Sequence, residues 1–292
     1  MARIQIEGVE VQALSPEGKT ASMPLPEFMS RLNPRRIDSG DVIYPDGVKA
    51  ARTEGGVTIL VHETCPQVYS LKWIAPDSPA PYGKEAKYRT VRIGLPYLIT
   101  LAVFRNLAPV GAPVLTEFNE CFFRTGPLES LEDELLFPAL LNCSKFSSPE
   151  GRPLSWICTQ HLNLPGLARE PIPGRRVRQS LRALLHCLLE TGFNYSSEQH
   201  EGTSWFTESH GVDPRVRTIE AWQEATTQDP LFPLEVPWLK TRLSLGQVLD
   251  RILTNLGVLG RATSLNSTGL ARLVFNYKPA GDTAASPVGP NK

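Results

Sequence analysis

The sequence predicts an α+β protein in which an antiparallel β-meander is followed by packed helices, with helical additions at the C-terminal side. Two observations carry this prediction. Short strand-like runs joined by short turns fill the first half of the chain, and helical periodicity is strongest after Pro173 and Gly174. Short connections favour antiparallel pairing, because neighbouring parallel strands need a long crossover.

The N-terminal region, residues 1–40, is predicted to hold a hairpin and a short helix. Residues 4–13 alternate apolar and polar side chains, and residues 15–18 have turn composition. Residues 26–32 can form a helix with a proline in its first turn, because proline needs no amide hydrogen bond there.

The principal domain, predicted at 41–260, opens with a series of strands. The segments between them are rich in Pro, Gly, Asp and Ser, which is typical of turns and loops. Within 128–136, Ser130 and Asp133 have the spacing of a helix capping box. The predicted strands are 41–44, 49–53, 57–63, 68–74, 88–93, 97–105 and 117–124.

The second half of this domain is predicted to be helical. Apolar residues recur at helical spacing from Val177 to Leu189, and Gly192 follows as a stop signal. Further helices are predicted at 215–226 and 244–256. In the second of these, the first residue is a serine that can cap the helix.

The C-terminal end is predicted to be extended and then disordered. Residues 261–278 form an extended segment, with strand-like residues at 270–277. Residues 279–292 are dominated by Pro, Gly, Ala and Ser, a composition that cannot bury enough apolar surface to fold.

Charge and hydropathy exclude several partner classes. Thirty basic and thirty acidic residues cancel, so the chain lacks the positive field that nonspecific binding to nucleic acid or anionic membranes requires. The longest strongly apolar stretch, 93–104, contains Pro96 and is shorter than the roughly 20 residues of a membrane span. The N-terminus has no apolar signal region. We therefore expect a cytoplasmic protein without nucleic-acid or membrane partners.

The five cysteines are odd in number and widely scattered, which argues against a disulfide framework. Paired zinc-ligand spacings are absent, so we expect no metal and no cofactor. Cys158 is the candidate reactive thiol, because it lies where strand-like segments give way to helical ones. A nucleophilic role requires a base, for which His161, His186, His200 and His210 are available by type. The alternative is a cysteine packed as a small apolar side chain.

A basic run precedes and enters the main helix. Two interpretations are open: binding of an acidic partner, or a solvated helix face. The run consists of Arg169, Arg175, Arg176, Arg178 and Arg182.

Five short stretches, which together span about residues 40–240, carry a resemblance to a known fold. They are Glu63-Thr64-Cys65-Pro66, Ile93-Gly94-Leu95-Pro96-Tyr97-Leu98-Ile99, Leu140-Leu141-Asn142, Trp156-Ile157-Cys158 and Gly192-Phe193-Asn194. The predicted order is a meander, an extended connection with an asparagine, a cysteine at its far end, and helices. This order resembles the ubiquitin-conjugating-enzyme fold, and the stretches are similar to its divergent prokaryotic relatives, including the family of PRTRC-system protein B.

The resemblance implies a catalytic pair and protein partners. Cys158 would carry a ubiquitin-like modifier, received from an activating enzyme, as a thioester, and the Asn142 amide would stabilise the oxyanion of transfer. The sequence has Leu141-Asn142-Cys143 where the standard enzymes have His-Pro-Asn, which makes Cys143 a rival nucleophile. The alternatives are a catalytically inactive adaptor and a structural or assembly protein of a bacterial multiprotein system.

Overall fold

The computed structural model divides into two compact units, Gly40–Val258 and Met1–Ser39 with Leu259–Lys292. Both candidate site residues belong to the larger unit. The structure describes residues 3–32, 44–80, 85–107, 112–140, 142–146, 151–159, 162–191, 205–209, 211–258 and 274–275.

The smaller unit contains a three-stranded antiparallel sheet and one helix. Its elements are β1 (Arg3–Glu7), β2 (Glu10–Leu14), β3 (Thr20–Pro24) and α1 (Leu25–Leu32). The run predicted at 4–13 is two strands, because Gly8 turns the chain with φ 61°, a left-handed conformation that glycine adopts without strain. Val11, Met23 and Phe28 are buried in the core of this unit.

The larger unit is built on an antiparallel sheet. Its strands are β4 (Val48–Glu54), β5 (Val57–Thr64), β6 (Gln67–Ile74), β7 (Tyr88–Leu95), β8 (Tyr97–Leu107), β9 (Ala112–Leu115), β10 (Glu120–Arg124), β11 (Glu134–Leu136), β12 (Cys143–Ser144), β13 (Trp156–Ile157) and β14 (Lys240–Ser244). Nine described strands share one sheet, whose main path is β12-β13-β10-β8-β5-β4, while β6 and β7 pair with each other. The antiparallel α+β prediction is confirmed.

The segment 128–136 does not form a helix: its end is β11, and the Asp133 carboxylate accepts the N–H groups of Glu129 and Ser130 within a turn. The spacing of a capping box therefore occurs here in a hydrogen-bonded turn that no helix follows. Of the strand predicted at 41–44, only Tyr44 lies within the described residues, and it is not in a strand.

In the larger unit the described helices follow β13 along the chain, and β14 lies between the last two of them. They are α2 (Leu164–Ala168), α3 (Pro173–His186), α4 (Trp205–Ser209), α5 (Ile219–Gln228) and α6 (Leu245–Asn255). The main helix predicted from periodicity is α3, which continues into one π-helical turn, Cys187–Thr191. The helix predicted at 215–226 begins later, because Thr218 caps α5. Ser244 caps α6, as predicted, and forms a capping box with Gln247.

Side chains of α5 bind the backbone of β7. The Gly94 N–H donates to the Thr226 hydroxyl at 2.9 Å, and the Trp222 indole N–H donates to the Gly94 carbonyl at 2.9 Å. A Cβ at Gly94 would lie 2.6 Å from the carbonyl oxygen of Pro230, so only glycine permits this approach. The helix is therefore fixed to the strand through backbone groups.

The core of the larger unit joins these helices to the sheet. Phe123 of β10 meets Trp238 edge-on at 5.1 Å, and Trp238 lies 5.6 Å from Trp222. Such aromatic pairs stabilise a core beyond the area they bury. None of the helices in the described part has both the length and the apolar character needed to cross a membrane. The predicted extended stretch 270–277 and tail 279–292 lie outside the described residues, apart from 274–275.

Candidate functional site

The two residues that the resemblance singles out lie beside each other. Asn142 directly precedes β12, and Cys158 directly follows β13, the strand with which β12 pairs. The Cys158 N–H donates to the Asn142 carbonyl oxygen at 3.0 Å. Strand pairing thus brings the candidate amide and the candidate thiol together.

The side chains of this pair are turned into the protein interior. Only 3% of Cys158 is exposed, and Asn142 is buried as well. The Asn142 side-chain amide donates to the carbonyl oxygens of Cys187 and Leu188, at 3.3 and 2.6 Å. These carbonyls belong to the π-helical turn after α3, so the amide holds the end of that helix.

A buried carboxyl group supports the segment that leads to Cys158. Glu120 of β10 accepts the backbone N–H groups of Leu154 and Ser155 at 3.0 and 3.1 Å, and Arg251 lies 3.9 Å from its other oxygen. Burial raises the pKa of Glu120 to about 7, although the two N–H groups and Arg251 favour the charged form. The sequence gives one signal for it, a glutamate at the start of a strand that is otherwise apolar up to its last residue.

The five cysteines all fall within the described residues, and none forms a disulfide. Cys65 is exposed, and the other four are buried. Burial, reinforced by a hydrogen bond with Cys121, raises the pKa of the Cys143 thiol. Because the thiolate is the reactive form, this position disfavours Cys143 as the rival nucleophile.

The bases considered for a thiol mechanism are not assembled around Cys158 in the described part of the chain. His161, His200 and His210 lie outside the described residues. His186 is exposed near the end of α3. Among the residues that the structure describes, no group of three His, Cys, Asp or Glu side chains is placed to hold a metal ion.

A cleft of about 950 Å³ lies between α3 and the strands β5 and β6; it is called the α3 cleft below. Arg178, Arg182 and His186 line it from the helix. They are spaced four residues apart, which places them in a row on one helix face. From the opposite side, His62 of β5 and Tyr69 of β6 line it.

The charges of the α3 cleft are unevenly distributed. Burial lowers the pKa of His62, which favours the neutral ring, and raises the pKa of Tyr69. Neither Arg178 nor Arg182 forms an ion pair with any residue in the described ranges. Asp46 is the one carboxylate in the described lining. The sequence indicated the arginines as a basic run. It gave no signal for His62, which lies in the almost wholly buried strand β5.

Family models, curated proteins and solved structures were each compared with the chain, and none matches it. Two regions of the larger unit are defined by geometry. One is the buried cluster of Glu120, Asn142 and Cys158, whose polar groups are directed inward. The other is the α3 cleft, whose cationic side chains are exposed.

Proposed function

We propose that the chain is a divergent ubiquitin-conjugating-enzyme-like protein that acts as a catalytically inactive adaptor in a bacterial multiprotein system. The antiparallel sheet followed by helices, with Asn142 beside Cys158, supports the UBC-like relationship. The state of the Asn142 amide supports the inactive role. An oxyanion donor must be directed at the charge that develops in transfer, whereas this amide donates to two backbone carbonyls.

The burial of Cys158 supports the same conclusion. A transfer cysteine must reach the carbonyl carbon of a bulky modifier and must ionise in part. With 3% of its surface exposed, Cys158 offers little access to a protein-sized substrate. Its position is that of a packing side chain at the junction of β13 and the segment before α2.

Thioester transfer is the second candidate. The contact between Cys158 and Asn142 favours it, because the resemblance implies these two residues as a pair. In that reaction the Cys158 thiolate attacks the thioester carbonyl of the activated modifier, the bond to the sulfur of the activating enzyme breaks, and that enzyme's cysteine leaves as a thiolate. The segment at Leu188 would have to open first, so that the Asn142 amide is released from its carbonyl partners.

Thiol labelling of the native protein tests the adaptor proposal. With 5,5′-dithiobis(2-nitrobenzoate), we expect one rapid reaction, at the exposed Cys65, and reaction of Cys158 only after unfolding. A Cys65→Ser variant should lose the rapid phase, and a Cys158→Ser variant should retain it. Rapid labelling of Cys158 in the native Cys65→Ser protein would contradict the inactive role.

An adduct assay separates the two candidates directly. The purified chain is incubated with ATP and with the activating enzyme and ubiquitin-like modifier encoded beside its gene. The adaptor proposal predicts no reductant-sensitive adduct. An adduct on the wild type that is absent from Cys158→Ala would establish thioester transfer and overturn the proposal.

A further inference from the structure

The exposed face of α3 carries two arginines, Arg178 and Arg182, beside an open cleft. We propose that the α3 cleft binds an extended, acidic segment of a partner protein, with carboxylates at alternate residues. This inference rests on the proposed adaptor function for the existence of a partner. It specifies the surface and the chemistry that the partner must have.

The spacing of the two arginines matches an extended chain. Arg178 and Arg182 are four residues apart, which is about 6 Å along a helix axis. Side chains on one face of an extended peptide repeat every two residues, or about 6.6 Å. Two acidic side chains at alternate positions of a bound segment can therefore each face one of these arginines.

Neither Arg178 nor Arg182 has a carboxylate partner in the part of the chain that the structure describes. Like charges four residues apart on a helix repel each other. Each guanidinium can bind a carboxylate through two parallel hydrogen bonds. A bound acidic segment would satisfy both and remove the repulsion between them.

The rest of the lining accommodates the other face of such a segment. Leu185 and Leu189 supply apolar contacts on the helix side. Across the cleft, Tyr69 accepts a hydrogen bond from Gln67 at 2.6 Å, which orients the ring. The intervening residues of the segment, which carry no charge in this proposal, would contact these groups.

Fluorescence anisotropy with a defined peptide tests the proposal. The probe is a fluorescein-labelled peptide in which three glutamates alternate with threonines, and the comparison peptide has glutamine in place of each glutamate. We expect the full chain to bind the glutamate peptide more tightly, and added salt to weaken that binding. The Arg178→Gln and Arg182→Gln double variant should raise the Kd about tenfold.

A matched double variant controls for net charge. Arg169→Gln with Arg175→Gln removes two exposed arginines that do not line the α3 cleft, so its Kd should equal that of the wild type. Circular dichroism checks that both variants keep their helix content. Equal weakening by the two double variants would overturn the proposal, as would equal binding of the two peptides.

A small-anion site is the remaining outcome to separate. Inorganic pyrophosphate that binds on its own and displaces the peptide at comparable concentration would overturn the peptide proposal in favour of that site. Failure here is distinguishable from failure of the adaptor role. The cysteine assays contain no peptide, and an adduct on Cys158 can form whether or not the α3 cleft binds acidic segments.

Discussion

The buried cluster and the α3 cleft use polar groups in opposite ways. In the cluster, the Asn142 amide and the Glu120 carboxyl bind backbone groups of the protein itself. In the cleft, Arg178 and Arg182 are exposed and have no ion-pair partner within the described ranges. Residue type draws attention to the cluster, but the exposed charged groups that could contact a partner lie in the cleft.

The largest expected effect concerns Glu120. Its carboxyl group binds two backbone N–H groups, but burial makes the charged form of this group unfavourable. The folded pKa of about 7 exceeds the ordinary value of 4.5, so the folded protein binds the extra proton between these pH values. Its contribution to the free energy of unfolding is therefore fully present below pH 4.5 and is lost as the pH rises through 7. Glu120→Gln should equal the wild type near the lower pH and exceed it by about 3 kcal/mol at pH 8.

Urea unfolding at a series of pH values measures this difference. The exposed Glu132→Gln variant is the control, and its difference from the wild type should not follow the same curve. If the difference in the free energy of unfolding between Glu120→Gln and the wild type stays constant from pH 4.5 to 8, the pKa of Glu120 is not raised in the folded protein.

The second effect tests whether Asn142 serves structure. Asn142→Ala leaves the carbonyls of Cys187 and Leu188 without this donor, and we expect the free energy of unfolding to fall by about 2 kcal/mol. Gln179→Ala, an exposed amide in the α3 cleft, should change it by less than about 0.5 kcal/mol. Chemical denaturation measures both. If the two substitutions lower the free energy of unfolding by the same small amount, the Asn142 amide contributes no more to stability than an exposed amide of the α3 cleft.

The smallest effect distinguishes a binding surface from a structural one. The Arg178→Gln and Arg182→Gln double variant should unfold at slightly higher urea concentration, by about 0.3 kcal/mol, because a repulsive pair on α3 is removed. The Kd for the acidic peptide should rise about tenfold at the same time. A destabilisation above about 1 kcal/mol would show that these arginines hold the fold.

Local sequence signals predicted most elements of the larger unit. Gly and Pro separators located the strands, and periodicity from Val177 located α3. Pairing was harder to predict, because it depends on contacts between distant residues: β5 is almost wholly buried and pairs with β8, leaving β6 and β7 as a separate ribbon.

The site was predictable only in part, for a similar reason. The resemblance named Asn142 and Cys158, and strand pairing places them in contact. The partners of the Asn142 amide lie more than forty residues away, in a turn whose carbonyls no periodicity distinguishes. The pKa of Glu120 likewise depends on burial by distant segments, which residue type does not reveal.

The contacts between α5 and β7 also oppose β-pairing between two copies of the molecule. Within the described strands, β7 pairs with β6 alone, so its second edge would otherwise display unpaired backbone groups. Gln223 accepts the N–H of Arg92, and Thr226 and Trp222 bind Gly94, so a helix occupies the place where a foreign strand would add. An uncovered edge of this kind is a template for intermolecular β-pairing. By covering this edge, the helix opposes aggregation through intermolecular β-pairing.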